Sequence, residues 1–114
     1  MQQSAWLEAD YQKCACKDLE TEVRLPGGAF ADCVSDTFAI EVESYSDWAE
    51  GIGQSLHYAS ETDKEPKLIM FCETDVSRCY REEQRLKSTI ESKSLGITVV
   101  DALDIGCTPP LIAE

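Results

Sequence analysis

Acidic side chains are spaced along this chain in a way that could hold a divalent cation. Asp32 lies near the end of one predicted strand, and Glu41 and Glu43 lie one residue apart on the next. Successive strand residues face opposite sides, so both glutamates project to one face and can lie beside Asp32 if the strands pair. Hard cations take oxygen ligands and keep several waters, so few protein ligands suffice. The sequence therefore predicts a Mg²⁺ or Mn²⁺ site formed by Asp32, Glu41 and the Val42 carbonyl.

A cation held there would polarise a phosphoryl oxygen and acidify a water, which favours attack on a phosphodiester. The next predicted helix places Asp47, Gly51, Gln54 and Tyr58 on one stripe, at about 100° per residue. If this stripe overlooks Glu41 and Glu43, Gln54 can orient a water or a phosphate, and Gly51 allows close approach of the backbone. The alternative interpretation is that Gln54 caps polar groups at the sheet edge and Tyr58 packs at the core boundary.

The arrangement resembles the PD-(D/E)xK nuclease superfamily, and Gln54-x-x-x-Tyr58 is similar to the motif of its RecB-like branch. The resemblance implies that Asp32 and Glu41 bind metal and that the side chain two residues after Glu41 assists the attacking water. It also implies a further acidic ligand at Glu22, a restriction endonuclease-like fold and a nucleic-acid partner, DNA in preference to RNA.

Residues 22–71, which carry the resemblance, depart from the family at position 43, where Glu replaces the usual Lys. The chain more closely resembles small exported bacterial proteins with the patterns Asp-Cys-x-Thr, Ala-Ile-Glu and Lys-Trp-Ala-Glu-x-Ile-Gly-Gln. Their lysine precedes the Trp, and this chain has Asp47 there. We therefore expect a weak metal-dependent nuclease. The alternative is a catalytically inactive nuclease-fold protein that serves as a binding or structural module.

Composition limits the classes of function. A chain of 114 residues that is 43% hydrophobic predicts one domain over residues 1–114, with a single core. No apolar run approaches the thickness of a bilayer, which argues against a membrane partner. The net charge of -12 argues against nucleic acid, because phosphate binding draws on clustered Lys and Arg. Bound metal would offset some of this charge locally, and an acidic surface also serves solubility.

The chain contains an even set of six cysteines: Cys14, Cys16, Cys33, Cys72, Cys79 and Cys107. In so short a chain this favours disulfides and an oxidising compartment. A zinc site is disfavoured because there is no Cys-x-x-Cys pair and the single histidine, His57, lies within a predicted helix. The preferred bridge joins Cys33 to Cys14 or Cys16, and a bridge between Cys72 and Cys79 is a second candidate. No basic and apolar leader follows the initial Met, so the chain is expected to be either cytoplasmic or a mature form whose signal peptide was removed. The cysteines and the resemblance favour the mature form, periplasmic or secreted.

Apolar periodicity and turn residues predict the order αβββαβαβ, an α/β fold with a mixed sheet flanked by helices. In the first helix, Trp6, Leu7, Tyr11 and Cys14 are spaced for one buried face. The third helix carries Arg78, Arg81 and Arg85 on one stripe, for which ordinary surface ion pairs are favoured over a phosphate track. The predicted elements are a helix over about residues 4–18, strands over 20–25, 29–34 and 37–43, a helix from a Ser44 or Ser46 cap to about Ser60, a strand over 67–72, a helix over 75–92 and a strand over 97–101.

Overall fold

The computed structural model describes residues 6–110, and its elements follow the predicted order αβββαβαβ. Two short 3₁₀ turns, Tyr45–Asp47 and Ala102–Ile105, add to this order. The helices and strands are α1 (Glu8–Ala15), β1 (Glu20–Arg24), β2 (Phe30–Val34), β3 (Phe38–Ser44), α2 (Trp48–Ser60), β4 (Glu65–Phe71), α3 (Val76–Ser92) and β5 (Thr98–Asp101).

The strands form one five-stranded mixed sheet in the order β1-β2-β3-β4-β5. Strands β1, β2 and β3 make an antiparallel meander, whereas β4 pairs parallel with both β3 and β5. Each parallel connection carries a helix, as such crossovers require. The predicted α/β class and mixed sheet are therefore confirmed.

Apolar side chains cover both faces of the sheet. On one face α1 packs Tyr11 against Phe71, with stacked rings whose centroids are 4.2 Å apart. On the other face α2 and α3 cover Leu68 and Met70 of β4. In the β3–β4 register Glu41 lies opposite Leu68 and Glu43 lies opposite Met70. Parallel partners point to the same side, so both glutamates lie on the face that α2 covers, as their spacing predicted.

The first helix is shorter than predicted. It begins at Glu8, and Leu7, which was expected to be buried, is its N-cap residue with 70% of its surface exposed. The Leu7 N–H donates to the Asp10 carboxylate at 2.9 Å, which fixes this start. At the other end Asp18 has a φ of 66°, which a helix cannot contain. The predicted start at Ser4 lies outside the described residues.

The start of α2 also differs from the prediction. The Ser44 hydroxyl accepts the Ser46 N–H at 3.2 Å, and this bond begins the 3₁₀ turn over Tyr45–Asp47. Neither serine caps α2, whose N-cap residue is Asp47 without a side-chain cap bond. The extra turn forms because the Ser44 side chain accepts the nearest free N–H, that of Ser46, which belongs to the 3₁₀ turn and not to α2.

Three disulfides bind all six cysteines. Cys16 pairs with Cys33 and Cys72 pairs with Cys79, as predicted, while the third bridge joins Cys14 to Cys107. This set indicates an oxidising compartment. Across residues 6–110 there is no helix of the length and apolar character needed to cross a bilayer.

Candidate metal centre

The candidate centre lies where β2 and β3 separate. Their ladder has two residue pairs and ends at Cys33 and Ile40. Beyond it the Asp32 carboxylate takes the place of a strand partner, accepting the Val42 N–H through Oδ2 at 2.8 Å. The N–H and C=O of one strand residue point to the same side, so the Val42 carbonyl also faces this fork. The structure thus brings the predicted Asp32 and Val42 ligands together.

Glu41 is buried beside Asp32, with 6% of its surface exposed, and its Oε1 atom has no hydrogen-bond partner. Burial raises the pKa of Glu41 to about 9, and the charge of Asp32 adds to this effect. A hydrogen bond from the protonated Glu41 carboxyl to Asp32 raises this pKa further. An unpaired carboxylate would be costly at this position. Without a cation, the pair therefore holds a proton.

Glu22 lies on β1 opposite Asp32, between the register pairs of Thr21 with Cys33 and Val23 with Ala31. It is exposed, and its Oε1 accepts a bond from Gln12 Nε2 at 3.3 Å. The same Gln12 amide donates to the Asp32 main-chain oxygen at 3.4 Å. Burial raises the pKa of Asp32, the Val42 N–H opposes that shift, and the Glu22 charge adds to it. Glu22 therefore lies on the β1 side of Asp32 and acts on the site through its charge.

Glu43 is the second buried acid of the site, with 6% of its surface exposed. Burial raises the pKa of Glu43 to about 8, and the charge of Glu8 adds to this shift. The Ser44 N–H donates to Glu43 Oε1 at 3.2 Å. A Cβ atom on Gly51 would lie 3.3 Å from Glu43 Cγ, so the missing side chain lets α2 pack directly over this glutamate. Gly51 of the helix stripe therefore lies directly over Glu43.

Glu8, in the first turn of α1, belongs to the cluster and was not predicted. Its side chain hydrogen-bonds with Glu43. Burial raises the pKa of Glu8, and the charge of Asp32 adds to it, although the Glu43 bond works in the opposite direction. Side chains three and four apart share a helix face, so Glu8, Tyr11 and Gln12 form one row. The four-residue spacing of Glu8 and Gln12, on either side of the buried Tyr11, could have indicated that both face the sheet. A search for apolar faces does not consider these polar residues.

The two motif residues of α2 have different surroundings. The Gln54 amide donates to Glu50 Oε1 at 3.1 Å, four residues earlier on the same helix, and is thus bonded to neither Glu41 nor Glu43. Burial raises the pKa of Tyr58, and the charges of Glu41 and Asp32 add to the shift. Tyr58 therefore lies within the electrostatic field of the carboxyl pair, whereas Gln54 is engaged by its own helix.

No described cation neutralises these acids. Within residues 6–110, none of the ion pairs of Lys, Arg or His includes Glu8, Asp32, Glu41 or Glu43. Of the arginine stripe on α3, Arg85 pairs with Glu82 at 2.7 Å, which is a surface ion pair of the predicted kind. Position 47, where the small exported proteins that the chain resembles have lysine, is an exposed aspartate. The charge of the cluster is therefore met by protons or by bound cations.

The residues present fit a hard cation, although the described part of the chain does not hold three metal-binding side chains already grouped around one point. The Asp32 and Glu41 carboxyls instead hydrogen-bond to each other, and the pKa of each is raised, chiefly by burial. When both groups are ionised, the Asp32 and Glu41 carboxylates and the Val42 carbonyl would all face one fork. One of these oxygens, Glu41 Oε1, has no partner. Oxygen donors of this kind, supplemented by water, are what Mg²⁺ and Mn²⁺ take.

Comparison with known proteins gives no match to a protein-family model, a curated protein or a solved structure. The α/β class does not define an activity, because one fold hosts many functions. The function of this chain therefore has to be argued from the buried carboxyl groups and their neighbours.

Proposed function

We propose that this protein is a nuclease-like protein of restriction endonuclease-like fold, which uses Mg²⁺ or Mn²⁺ to act on nucleic-acid phosphodiesters. The observation that carries the proposal is Glu41, buried at a strand fork beside Asp32 with an oxygen that no protein group satisfies. Native proteins rarely leave such an atom without a partner, and a cation would supply one. The mixed sheet, with the acids on β2 and β3, supports the same fold.

Each chain group has a defined part in this proposal. Asp32, Glu41 and the Val42 carbonyl would hold the cation, which supplies a polarised phosphoryl oxygen and a more acidic water. Glu43, one position further along the same strand face, would accept the proton of the attacking water. Tyr58 would donate a hydrogen bond to a phosphate oxygen, because its raised pKa keeps the phenol protonated.

Hydrolysis is expected to be weak, because the cluster has acidic residues where the proteins that the chain resembles have lysine. Phosphoryl transfer develops negative charge that positioned cations must stabilise, and loss of one such group costs about 3 kcal/mol in the barrier. Positions 43 and 47 are Glu and Asp here. Activity should therefore be higher with Mn²⁺ than with Mg²⁺, since Mn²⁺ binds such ligands more tightly.

Asp47→Lys should raise the rate of plasmid and single-stranded oligonucleotide cleavage by about tenfold or more, which corresponds to about 1.4 kcal/mol. Asp47 is exposed and makes no side-chain cap bond, so the substitution leaves the core unchanged. Asp63→Lys is the matched control, because this exposed loop aspartate lies before β4, at the opposite end of the strands from Glu43. Glu41→Ala serves as the blank. Wild-type activity that Asp47→Lys lowers would show that the catalytic cation is elsewhere.

A second candidate is a nuclease-fold protein without catalysis that serves as a binding module. The net charge of -12 and the lack of a described cation at the cluster favour it. Absence of cleavage by wild type, Asp47→Lys and every metal and substrate combination would support this candidate. In either case we propose a periplasmic or secreted location, which the three disulfides support.

A further inference from the structure

We propose that the Cys72–Cys79 disulfide is a thiol–disulfide exchange site, which accepts two electrons from a dithiol while the other two bridges stay oxidised. This bridge closes the segment that connects β4 to α3. Cys72 directly follows Phe71, the last residue of β4, and Cys79 lies in the first turn of α3. The inference goes beyond the proposed function and does not depend on it, since neither metal nor nucleic acid takes part.

The Cys72–Cys79 bridge is the one that a thiol in solution can reach with the least change in the fold. Cys72 is half-buried, and the six residues between the two cysteines are all exposed. The two cysteines are 7 residues apart, so a local opening of this one segment presents the bridge to an attacking thiol. Access of this kind is a requirement for thiol–disulfide exchange.

The other two bridges are enclosed by the packing of α1. Cys16 and Cys33 are at most 2% exposed, and Cys107 is 1% exposed. Cys14, the partner of Cys107, packs against the same core cluster. These bridges join residues 17 and 93 positions apart, so full access to their sulfurs requires α1 to move away from the sheet. The burial of these bridges therefore favours selective reduction of Cys72–Cys79.

The exposed segment also contains hydrogen-bond partners for both sulfurs in their reduced form. Cys72 Sγ lies 3.2 Å from the Thr74 carbonyl oxygen, and Cys79 Sγ lies 3.5 Å from the Thr74 hydroxyl oxygen. A disulfide sulfur carries no hydrogen, so Cys72 can donate to this carbonyl only as a thiol. The hydroxyl would donate to a Cys79 thiolate, which the first turn of a helix also stabilises. Groups that stabilise the reduced pair make a disulfide more oxidising, so these contacts favour its reduction.

The difference in exposure between the two sulfurs gives the exchange its direction. One thiolate of the dithiol attacks the more exposed Cys72 Sγ and forms a mixed disulfide as the bond to Cys79 breaks. Cys79 leaves as a thiolate, which the Thr74 hydroxyl stabilises. The second thiolate of the dithiol then attacks the mixed disulfide and releases Cys72. The dithiol is oxidised to a disulfide, and its two protons complete the thiols of Cys72 and Cys79.

The test measures the reduction of each bridge separately in the disulfide-bonded chain. The protein is equilibrated at pH 7 with graded ratios of reduced to oxidised dithiothreitol, and free thiols are then alkylated and located by mass spectrometry. Cys72 and Cys79 should be half-reduced at a ratio at least about tenfold lower than the other four cysteines. Circular dichroism at that ratio should show the helix content of the oxidised protein.

Thr74→Val should raise the ratio needed for half-reduction of Cys72–Cys79 by about fivefold, because valine keeps the branched shape and removes the hydroxyl donor. Thr74 is exposed and lies outside the helices and strands, so the variant retains the fold. Thr89→Val is the matched control and should behave as wild type, because the Thr89 hydroxyl donates to the Arg85 carbonyl within α3. A short exposure to glutathione followed by alkylation should place glutathione on Cys72 and the alkyl group on Cys79.

Half-reduction of all three bridges at one ratio, or earlier reduction of either of the other two, would overturn the inference. A Thr74→Val variant that is reduced as readily as wild type would equally overturn it, and so would glutathione found on Cys79. These outcomes leave the proposed function untouched, because the measurements contain neither a divalent cation nor a nucleic acid.

Discussion

Glu41→Gln should stabilise the metal-free protein at neutral pH and remove its response to Mn²⁺. In the folded chain the pKa of Glu41 is raised from 4.5 to about 9, chiefly by burial. Folding at pH 7 therefore requires uptake of a proton that the unfolded chain has released. This uptake costs about 3 kcal/mol at pH 7, or about 1.4 kcal/mol for each unit above 4.5. A glutamine has no such cost and can donate its amide to Asp32.

The sign of the pH dependence follows from the same shift. The folded state binds more protons than the unfolded state between pH 4.5 and about 9, so the free energy of unfolding of the metal-free wild type falls as pH rises through this window. Glu41→Gln should have a smaller slope, and Glu43, whose pKa burial raises to about 8, retains part of it. Saturating Mn²⁺ should reverse the order at pH 8, because a bound cation stabilises only the ionised site.

Urea unfolding at pH 5, 7 and 8, with and without Mn²⁺, measures these differences. Glu91→Gln is the isosteric control, because it removes an exposed carboxylate at the end of α3. A Glu41→Gln variant less stable than wild type at pH 8 without metal, or one that Mn²⁺ stabilises as strongly as wild type, would be incompatible with the site described.

Removal of the Cys14–Cys107 bridge should cause the largest loss of stability of the three disulfides. The two cysteines are 93 residues apart, whereas Cys72 and Cys79 are 7 apart. In the chain-entropy account a longer closed loop gives more stabilisation, about 4.7 kcal/mol for the first bridge and about 2.3 kcal/mol for the second. The first value is a large part of the stability of a small domain, which is about 5–15 kcal/mol.

The comparison uses two double variants, Cys14→Ser with Cys107→Ser and Cys72→Ser with Cys79→Ser, unfolded in urea under non-reducing conditions. The first should also weaken Mn²⁺ binding, because the bridge anchors the helix whose Gln12 amide donates to the Asp32 main-chain oxygen. The second leaves α1 tied in place and should bind as wild type does. Equal losses of stability, or normal Mn²⁺ binding by the first variant, would contradict this account of α1.

The sheet was predictable because its signals are local. Phe38 to Glu43 alternates between the two faces, Pro26-Gly27-Gly28 marks the first turn, and β4 is a largely apolar run between helices. The side of the sheet on which Glu41 and Glu43 lie follows from strand parity, which a sequence shows directly. These same features placed Asp32 beside Glu41 once the meander was assigned.

The features that were missed depend on tertiary contacts. The Cys14–Cys107 bridge links residues 93 apart, and no local pattern brings them together. Glu8 enters the site because α1 packs Tyr11 onto Phe71, a contact that sequence periodicity cannot orient. Gln54 falls on the predicted stripe, yet a neighbour four residues away, Glu50, satisfies its amide first.

The most direct test of the central claim is a crystal structure of the protein in Mn²⁺ at about pH 8, with anomalous scattering to locate the metal. The account predicts a Mn²⁺ ion at the fork of β2 and β3, coordinated by Asp32, by Glu41 and by the Val42 carbonyl. Crystals in which the Asp32 and Glu41 carboxyls stay bonded to each other, with no anomalous peak at the fork, would contradict the claim that this site binds a divalent cation.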